Sequence, residues 1–209
     1  MHILIADDHA VVRRGLKEIL AEEIPGARFS EADRGDEVLM RLAESPSSVL
    51  VLDINLPGRS GLDVLREVKR DYPRLPVIIL SMQPEDQYAM RCLRAGASAY
   101  INKDSATEEL AQAVKKILSG GRYVSPRLAE KLVAQFDESP AKPLHELLSD
   151  REYEVMRMIA SGVPLTDIAA RLHVSVKTVS TYRSRIMEKM QMKSNSEVTR
   201  YAMTHQLIE

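Results

Sequence analysis

Asp7 and Asp8 follow the apolar run Ile3–Ala6, and Asp53 follows the apolar run Val49–Leu52. Ser81 closes a third run, Val77–Leu80, and Lys103 comes just after a fourth, Ala99–Ile101. If these runs are neighbouring buried strands, three carboxylates, a hydroxyl and an ammonium meet at one rim. Carboxylates that close repel and raise each other's pKa, and a bound cation relieves them. The set offers oxygen ligands and no histidine, so the ion would be hard, Mg²⁺ or Mn²⁺. This is the equipment of phosphoryl transfer onto a carboxylate. The metal and Lys103 neutralise charge on the transferring oxygens, and Ser81 donates a hydrogen bond. Asp53 is the nucleophile and becomes an aspartyl phosphate. The Leu56-Pro57-Gly58 loop fixes the peptides after Asp53, so a backbone carbonyl near Asn55 can join the ligands. His9 reads as the start of a helix rather than as a zinc ligand. Any one of these residues alone is an ordinary strand end; their conjunction carries the reading.

The elements that must position them follow from hydrophobic patterning. Ile3–Ala6, Val49–Leu52, Val77–Leu80 and Ala99–Ile101 read as short buried strands, with Arg28–Glu31 as a further short one. Between them Val11–Leu20, Glu37–Ala43, Leu62–Lys69 and Asp86–Ala95 carry helical spacing, and Thr107–Leu118 follows the last strand. Continuous apolar strands alternating with amphipathic helices predict an α/β domain: a five-stranded parallel sheet covered on both faces. Ligands of such sheets sit at the carboxyl ends of the strands, where the acids fall.

A different pattern starts after residue 121. Tyr123–Phe136 reads as an extra helix opened by Ser125 and Pro126, and Asp137–Leu144, with two prolines, reads as a flexible linker. The remainder is all helical. Ser149 and Glu152 form a capping box, and Gly162 stops that helix. Thr166 is expected to cap a short helix over Asp167–Leu172, His173 and Val174 to make a tight turn, and Ser175 to cap a helix running to about Met190. A last helix covers roughly Ser196–Leu207. Two helices joined by a turn of three or four residues give the helix-turn-helix outline. The expected organisation is therefore 1–121, a linker over 122–144, and 145–209.

Composition narrows the class. Apolar residues make up 44% and charged residues 28%, ordinary for a chain that folds in water. The single cysteine, Cys92, allows no internal disulfide and no cysteine cluster for a metal. No apolar run is long enough to span a membrane, and the run in MHILIADD is too short for a signal peptide, so a cytoplasmic protein is expected. No glycine-rich phosphate loop is present, which argues against nucleotide binding. Net charge is near zero, yet residues 171–193 hold six basic side chains against one acid. In the helix they flank, Val179, Ile186 and Met190 form the inward stripe, supported by Val176 and Tyr182. Ser180, Thr181 and Ser184 then fall outward. A basic helix behind a short helix and a tight turn points to DNA. Lys177, Arg183, Arg185 and Lys189 suit phosphates, which position the protein and make binding salt-dependent.

Asp7-Asp8, Asp53, the run Asp53–Gly61, Ser81, and Ala99-Tyr100 before Lys103 resemble the receiver domain of bacterial two-component response regulators. Leu148–Met190 resembles the LuxR-type helix-turn-helix, and the pairing resembles the NarL/FixJ subfamily over nearly the whole chain. The resemblance implies a flavodoxin-like, CheY-like receiver sheet followed by a DNA-binding domain. It implies that Asp53 accepts a phosphoryl group from a sensor histidine kinase. Asp8, Asp53 and the Asn55 carbonyl would ligate Mg²⁺ directly, with Asp7 acting through water. Ser81 and Tyr100 would relay the change, the aromatic ring rotating inward, while Lys103 pairs with the acceptor or its phosphate. The active protein would be a homodimer on double-stranded DNA, not a turnover enzyme. By the same resemblance Ser180, Thr181 and Ser184 face base edges, and Thr178 belongs to the DNA-contacting set. Asn102, Asp104, Ser180, Tyr182 and Gln191 depart from the residues common in the family. A metal-dependent hydrolase with a helical lid, the rival reading, lacks a general acid and leaves the basic helix unexplained.

Overall fold

The computed structural model describes residues 1–130 and 143–208, apart from the side chains of residues 86 and 87. Most of the expected linker, including the helix beyond residue 130 and the stretch 137–142, lies outside the described residues. The chain divides into two compact units, Met1–Glu138 and Ser139–Glu209.

The first unit is built on five parallel strands: β1 His2–Ala6, β2 Arg28–Ala32, β3 Val49–Asp53, β4 Val77–Ser81 and β5 Ala99–Asn102, in the order β2-β1-β3-β4-β5. Helices α1 Ala10–Glu23, α2 Gly35–Glu44, α3 Gly61–Asp71, α4 Glu85–Arg94 and α5 Ala106–Leu118 connect and follow them. Strands β3 and β4 are buried at every position, which is why they read as unbroken apolar runs rather than as alternations. Ile3, Ile5, Val49, Val51, Ile78 and Leu80 pack with Leu16 and Leu20 of α1 and with Leu110, Val114 and Ile117 of α5. The alternate residues Leu4, Leu50, Leu52 and Ile79 are equally buried on the opposite face.

Register does the positioning. Ala6 pairs with Leu52, so Asp7 falls level with Asp53. Asp53 pairs with Leu80, and Ser81 pairs with Asn102. Asp53 and Ser81 are the final strand residues rather than the first loop residues. Backbone pairing continues past the last apolar side chain, as the Ile54 N–H to Leu80 carbonyl bond shows at 3.3 Å.

In the second unit α6 Asp150–Ala160, α7 Leu165–Arg171, α8 Val176–Lys189 and α9 Asn195–Thr204 make an all-helical domain. Ser149 and Glu152 form the expected capping box, and Ser175 caps α8 by accepting the Thr178 N–H. Thr166 is not a cap. Pro164 takes the N-cap position, its carbonyl accepting the Asp167 and Ile168 N–H groups, and the Thr166 hydroxyl donates to Asp167 at 3.0 Å. The last helix starts one residue before its expected start, behind a Ser194 cap, and stops at Thr204, three residues short of the expected end. Gln191, where the family often has glycine, closes α8 in the left-handed region at φ 54°. Its N–H reaches the Glu188 carbonyl and the Met192 N–H reaches that of Met187, the bonding of a glycine-type helix stop made without glycine.

Candidate phosphoacceptor site and nucleic-acid helix

At the carboxyl edge of the sheet Asp7 and Asp53 are each 1% exposed. The Lys103 ammonium lies 2.7 Å from Asp7 Oδ2 and 2.7 Å from Asp53 Oδ2. It donates a hydrogen bond to Asp53, while its approach to Asp7 is an ion pair outside hydrogen-bonding angles. The second Asp53 oxygen accepts the Asn55 N–H at 3.2 Å. Burial raises the Asp53 pKa above the ordinary carboxylate value; Lys103 and the Asn55 N–H oppose that rise and Asp7 adds to it. Burial works against the Lys103 ammonium, yet the Asp53 and Asp7 carboxylates outweigh it and hold the lysine above its usual value.

Lys103 reaches this point because a short 3₁₀ turn, Lys103–Ser105, follows β5, with the Asn102 side chain accepting the Asp104 N–H at 2.9 Å. Both departures from the family pattern at this turn thus take part in its geometry. Asp53 is aimed by the loop after it. Gly61 N–H donates to the Ile54 carbonyl at 2.8 Å and folds the loop flat onto the strand end. A Cβ at Gly61 would stand 2.0 Å from the Asp53 carbonyl oxygen.

Asp8 lies further out, with its side chain 31% exposed and 2.7 Å from His9 Nδ1. His9 does sit at the N-cap position of α1, as expected, and its N–H donates to Asp7 Oδ1 at 2.8 Å. Ligand atoms of Asp7, Asp8 and His9 fall within 4.8 Å of one another, so this cluster can coordinate a divalent metal. Asp7 Oδ2 is buried, and the cation it faces among the described residues is the Lys103 ammonium, 2.7 Å away.

Ser81 and Tyr100 are both fully buried. Ser81 Oγ accepts the Gln83 N–H at 3.0 Å, and the Tyr100 hydroxyl donates to the Gln83 carbonyl at 2.7 Å. Burial pushes the Tyr100 phenol far above its ordinary value, with Ser81 as the opposing influence. The ring already lies inward here. Gln83, which joins the two, carries no signal in the sequence; only the turn geometry reveals it.

On helix α8, Val179 and Ile186 are buried with Met190 just beyond, as expected, but Val176 is 43% exposed and lends no support. Lys177, Ser180, Thr181, Ser184 and Arg185 are exposed. Thr181 and Ser184 donate to the carbonyls four residues back, and Thr178 shares a hydrogen bond with Ser175. Arg183 donates to Asn195 at 2.8 Å, and Lys189 pairs with the buried Glu152 at 2.5 Å. Among the described residues, no helix is long and apolar enough to cross a membrane.

Residues 3–115 match the response regulator receiver domain family, and residues 146–202 match the luxR family of bacterial regulatory proteins. The response regulator GacA of Pseudomonas protegens is 33% identical over 210 residues, covering 100% of this chain and 98% of that protein. The oxygen regulatory protein NreC of Staphylococcus epidermidis is 37% identical over 217 residues, covering 100% of both. The structure of RcsB from Salmonella enterica serovar Typhimurium, bound to promoter P1flhDC in the presence of phosphomimetic BeF3⁻, superposes with a TM-score of 0.65 at 28% identity, covering 96% of this chain and 97% of that one. The chain belongs to the NarL/FixJ family of two-component response regulators: a DNA-binding protein with a receiver domain, a phosphoacceptor aspartate site and a C-terminal helix-turn-helix, engaged in phosphotransfer without being a turnover enzyme.

Proposed function

We propose that Asp53 is the phosphoacceptor and that a sensor histidine kinase is the donor. The observation that carries this is the Lys103 ammonium lying 2.7 Å from Asp53 on the floor of the acidic rim. An Asp53 carboxylate oxygen attacks the phosphorus of the donor's phosphohistidine. A P–O bond forms, the P–N bond breaks, and its electron pair leaves on the imidazole nitrogen. The charge on Asp53 is what makes it a nucleophile, and Lys103 keeps that carboxylate ionised against its burial. Asp8, Asp53 and the Asn55 carbonyl would hold Mg²⁺, with Mn²⁺ as the substitute, and Asp7 would assist through water. When bound, the ion screens the carboxylates and the transferring oxygens. Ser81 donates to the phosphoryl group. When the hydroxyl swings over to make that bond, Oγ leaves the Gln83 N–H, and the turn to which the Tyr100 hydroxyl is tied is freed.

The receiver occupies 1–121, the linker 122–144 and the output domain 145–209, in a cytoplasmic protein that acts as a homodimer on double-stranded DNA. The test is intact-mass spectrometry after incubation with acetyl phosphate and Mg²⁺. Wild type gains one hydroxylamine-labile phosphoryl group and Asp53→Asn gains none. An adduct that persists in the variant places the acceptor elsewhere and overturns the assignment.

In the output domain Lys177 and Arg185 contact phosphates from the exposed face of α8, with Arg183 and Lys189 after exchange of their present partners. Ser180, Thr181 and Ser184 face the bases, and Thr178 adds to the DNA-contacting set. Arg185→Ala is expected to weaken all sequences alike and to lower the slope of log affinity against log salt by about 1. Titrations of wild type and variant at several salt concentrations measure this. A loss confined to one sequence would make Arg185 a base reader instead.

A further inference from the structure

We propose that Arg13 is a positioning residue for the acidic pair, holding the Asp7–Asp8 peptide so that the Asp8 carboxylate is placed for a divalent cation. This rests on the metal-site reading above. Arg13 Nη1 donates to the Asp7 carbonyl oxygen at 2.6 Å, and Arg13 Nε donates to Glu31 Oε2 at 2.8 Å. One guanidinium therefore bridges the loop after β1 to strand β2. Lys17, one turn further along α1, takes the other Glu31 oxygen. The two cations, Lys17 foremost, hold the Glu31 carboxyl below its ordinary value, so the anchor for Arg13 is charged across the working pH range.

The carbonyl that Arg13 grips belongs to the peptide joining Asp7 to Asp8. The other side of Asp7 is fixed as well: its N–H donates to the Ala32 carbonyl at 3.1 Å, and its Oδ1 accepts the His9 N–H. With these contacts in place the peptide plane cannot turn, and the Asp8 Cα, from which the carboxylate hangs, has one position. The Asp8 carboxylate itself is braced from the solvent side by His9, whose side chain is 68% exposed. Exposed pairs of that kind hold geometry weakly. Placement of Asp8 thus comes through the backbone, and Arg13, with its side chain only 15% exposed, sets it. Lysine cannot substitute, because a single ammonium lacks the planar fork that serves the Asp7 carbonyl and Glu31 together.

The experiment is calorimetric titration of the full chain with MgCl₂ for wild type, Arg13→Met and Arg13→Lys, beside metal-free thermal midpoints. The expected result is a Kd raised roughly tenfold in both variants, with the Arg13→Lys midpoint close to wild type. Wild-type Kd in Arg13→Lys would show that charge alone suffices and would overturn the proposal. So would unchanged affinity in Arg13→Met, whatever its stability. Absence of Mg²⁺ binding by wild type would remove the metal-site reading itself, a distinguishable failure.

Discussion

Gly61→Ala is expected to lower the stability of the receiver unit by more than about 4 kcal/mol, a loss seen only when a substitution collides with something that cannot yield. The added Cβ would lie 2.0 Å from the Asp53 carbonyl oxygen, 2.8 Å from Ile54 Cα and 2.9 Å from the Asp53 carbonyl carbon. All three are backbone atoms, and two belong to Asp53, the proposed nucleophile. No rotamer change relieves the overlap; the loop must lift off the strand end. Lifting it breaks the Gly61 N–H bond to the Ile54 carbonyl and loosens the start of α3. Gly58, three residues earlier, provides the contrast. It sits at φ 79° with open space around its Cβ direction, so Gly58→Ala meets only the left-handed backbone penalty of about 1–2 kcal/mol. Hydrogen exchange of β3 peptides in the two variants measures both. Gly61→Ala within about 1 kcal/mol of wild type would show that the close approach constrains nothing.

The second large effect concerns charge. Lys103→Met removes the one ammonium seen between two buried carboxylates, and a loss of about 3–5 kcal/mol near neutral pH is expected. Its pH dependence identifies the cause. The Lys103 pKa is raised in the fold, so its pairing stabilises at every pH below the ordinary lysine value and fades only as pH climbs through the higher folded value. Asp53 behaves oppositely. Its pKa is raised chiefly by burial, so its charge opposes folding near neutrality, and proton uptake relieves that opposition as pH falls. Without Lys103, Asp53 loses the influence that opposes its raised pKa and holds its proton more tightly still. The deficit of Lys103→Met should therefore shrink as pH falls from neutrality into the acid range. Exchange-measured stability at a neutral and an acid pH tests it, and an equal deficit at both would reduce Lys103 to a packing role.

Much of this was legible in the residues. Strands buried on both faces announce themselves as continuous apolar runs, and the polar residue that ends each run marks the rim. That is enough to collect Asp7, Asp53, Ser81 and Lys103 at one edge. What the runs do not carry is register. The level placement of Asp7 and Asp53, and the lysine between them, depend on which residues pair across β1 and β3. Arg13 carries no signal in the sequence for the same reason: its partner Glu31 is eighteen residues away on a strand that only topology puts beside β1. His9 starts its helix as the pattern predicts, but its contact with Asp8 depends on a side-chain direction. At Thr166 the local cue misled because Pro164, with no side-chain oxygen, already held the cap geometry. Val176 fits the apolar spacing of its helix yet lies at the first turn, beyond the reach of the packing helices.

The pairing of Lys189 with Glu152 bears on how ions leave the DNA surface. A basic side chain that meets a phosphate normally adds to the release of condensed counterions, and each such contact steepens the dependence on salt. Lys189 instead carries its counter-charge as part of the protein, on a carboxylate that also caps α6. Moving Lys189 to a phosphate trades one anion for another and strips Glu152 of its partner. On the proposed contacts, the number of cations freed on binding would fall below the number of basic residues on the helix. In the proposed DNA complex exposed Lys177 and Arg185 would supply the salt sensitivity, while Lys189 would have to give up its contact with Glu152 before docking.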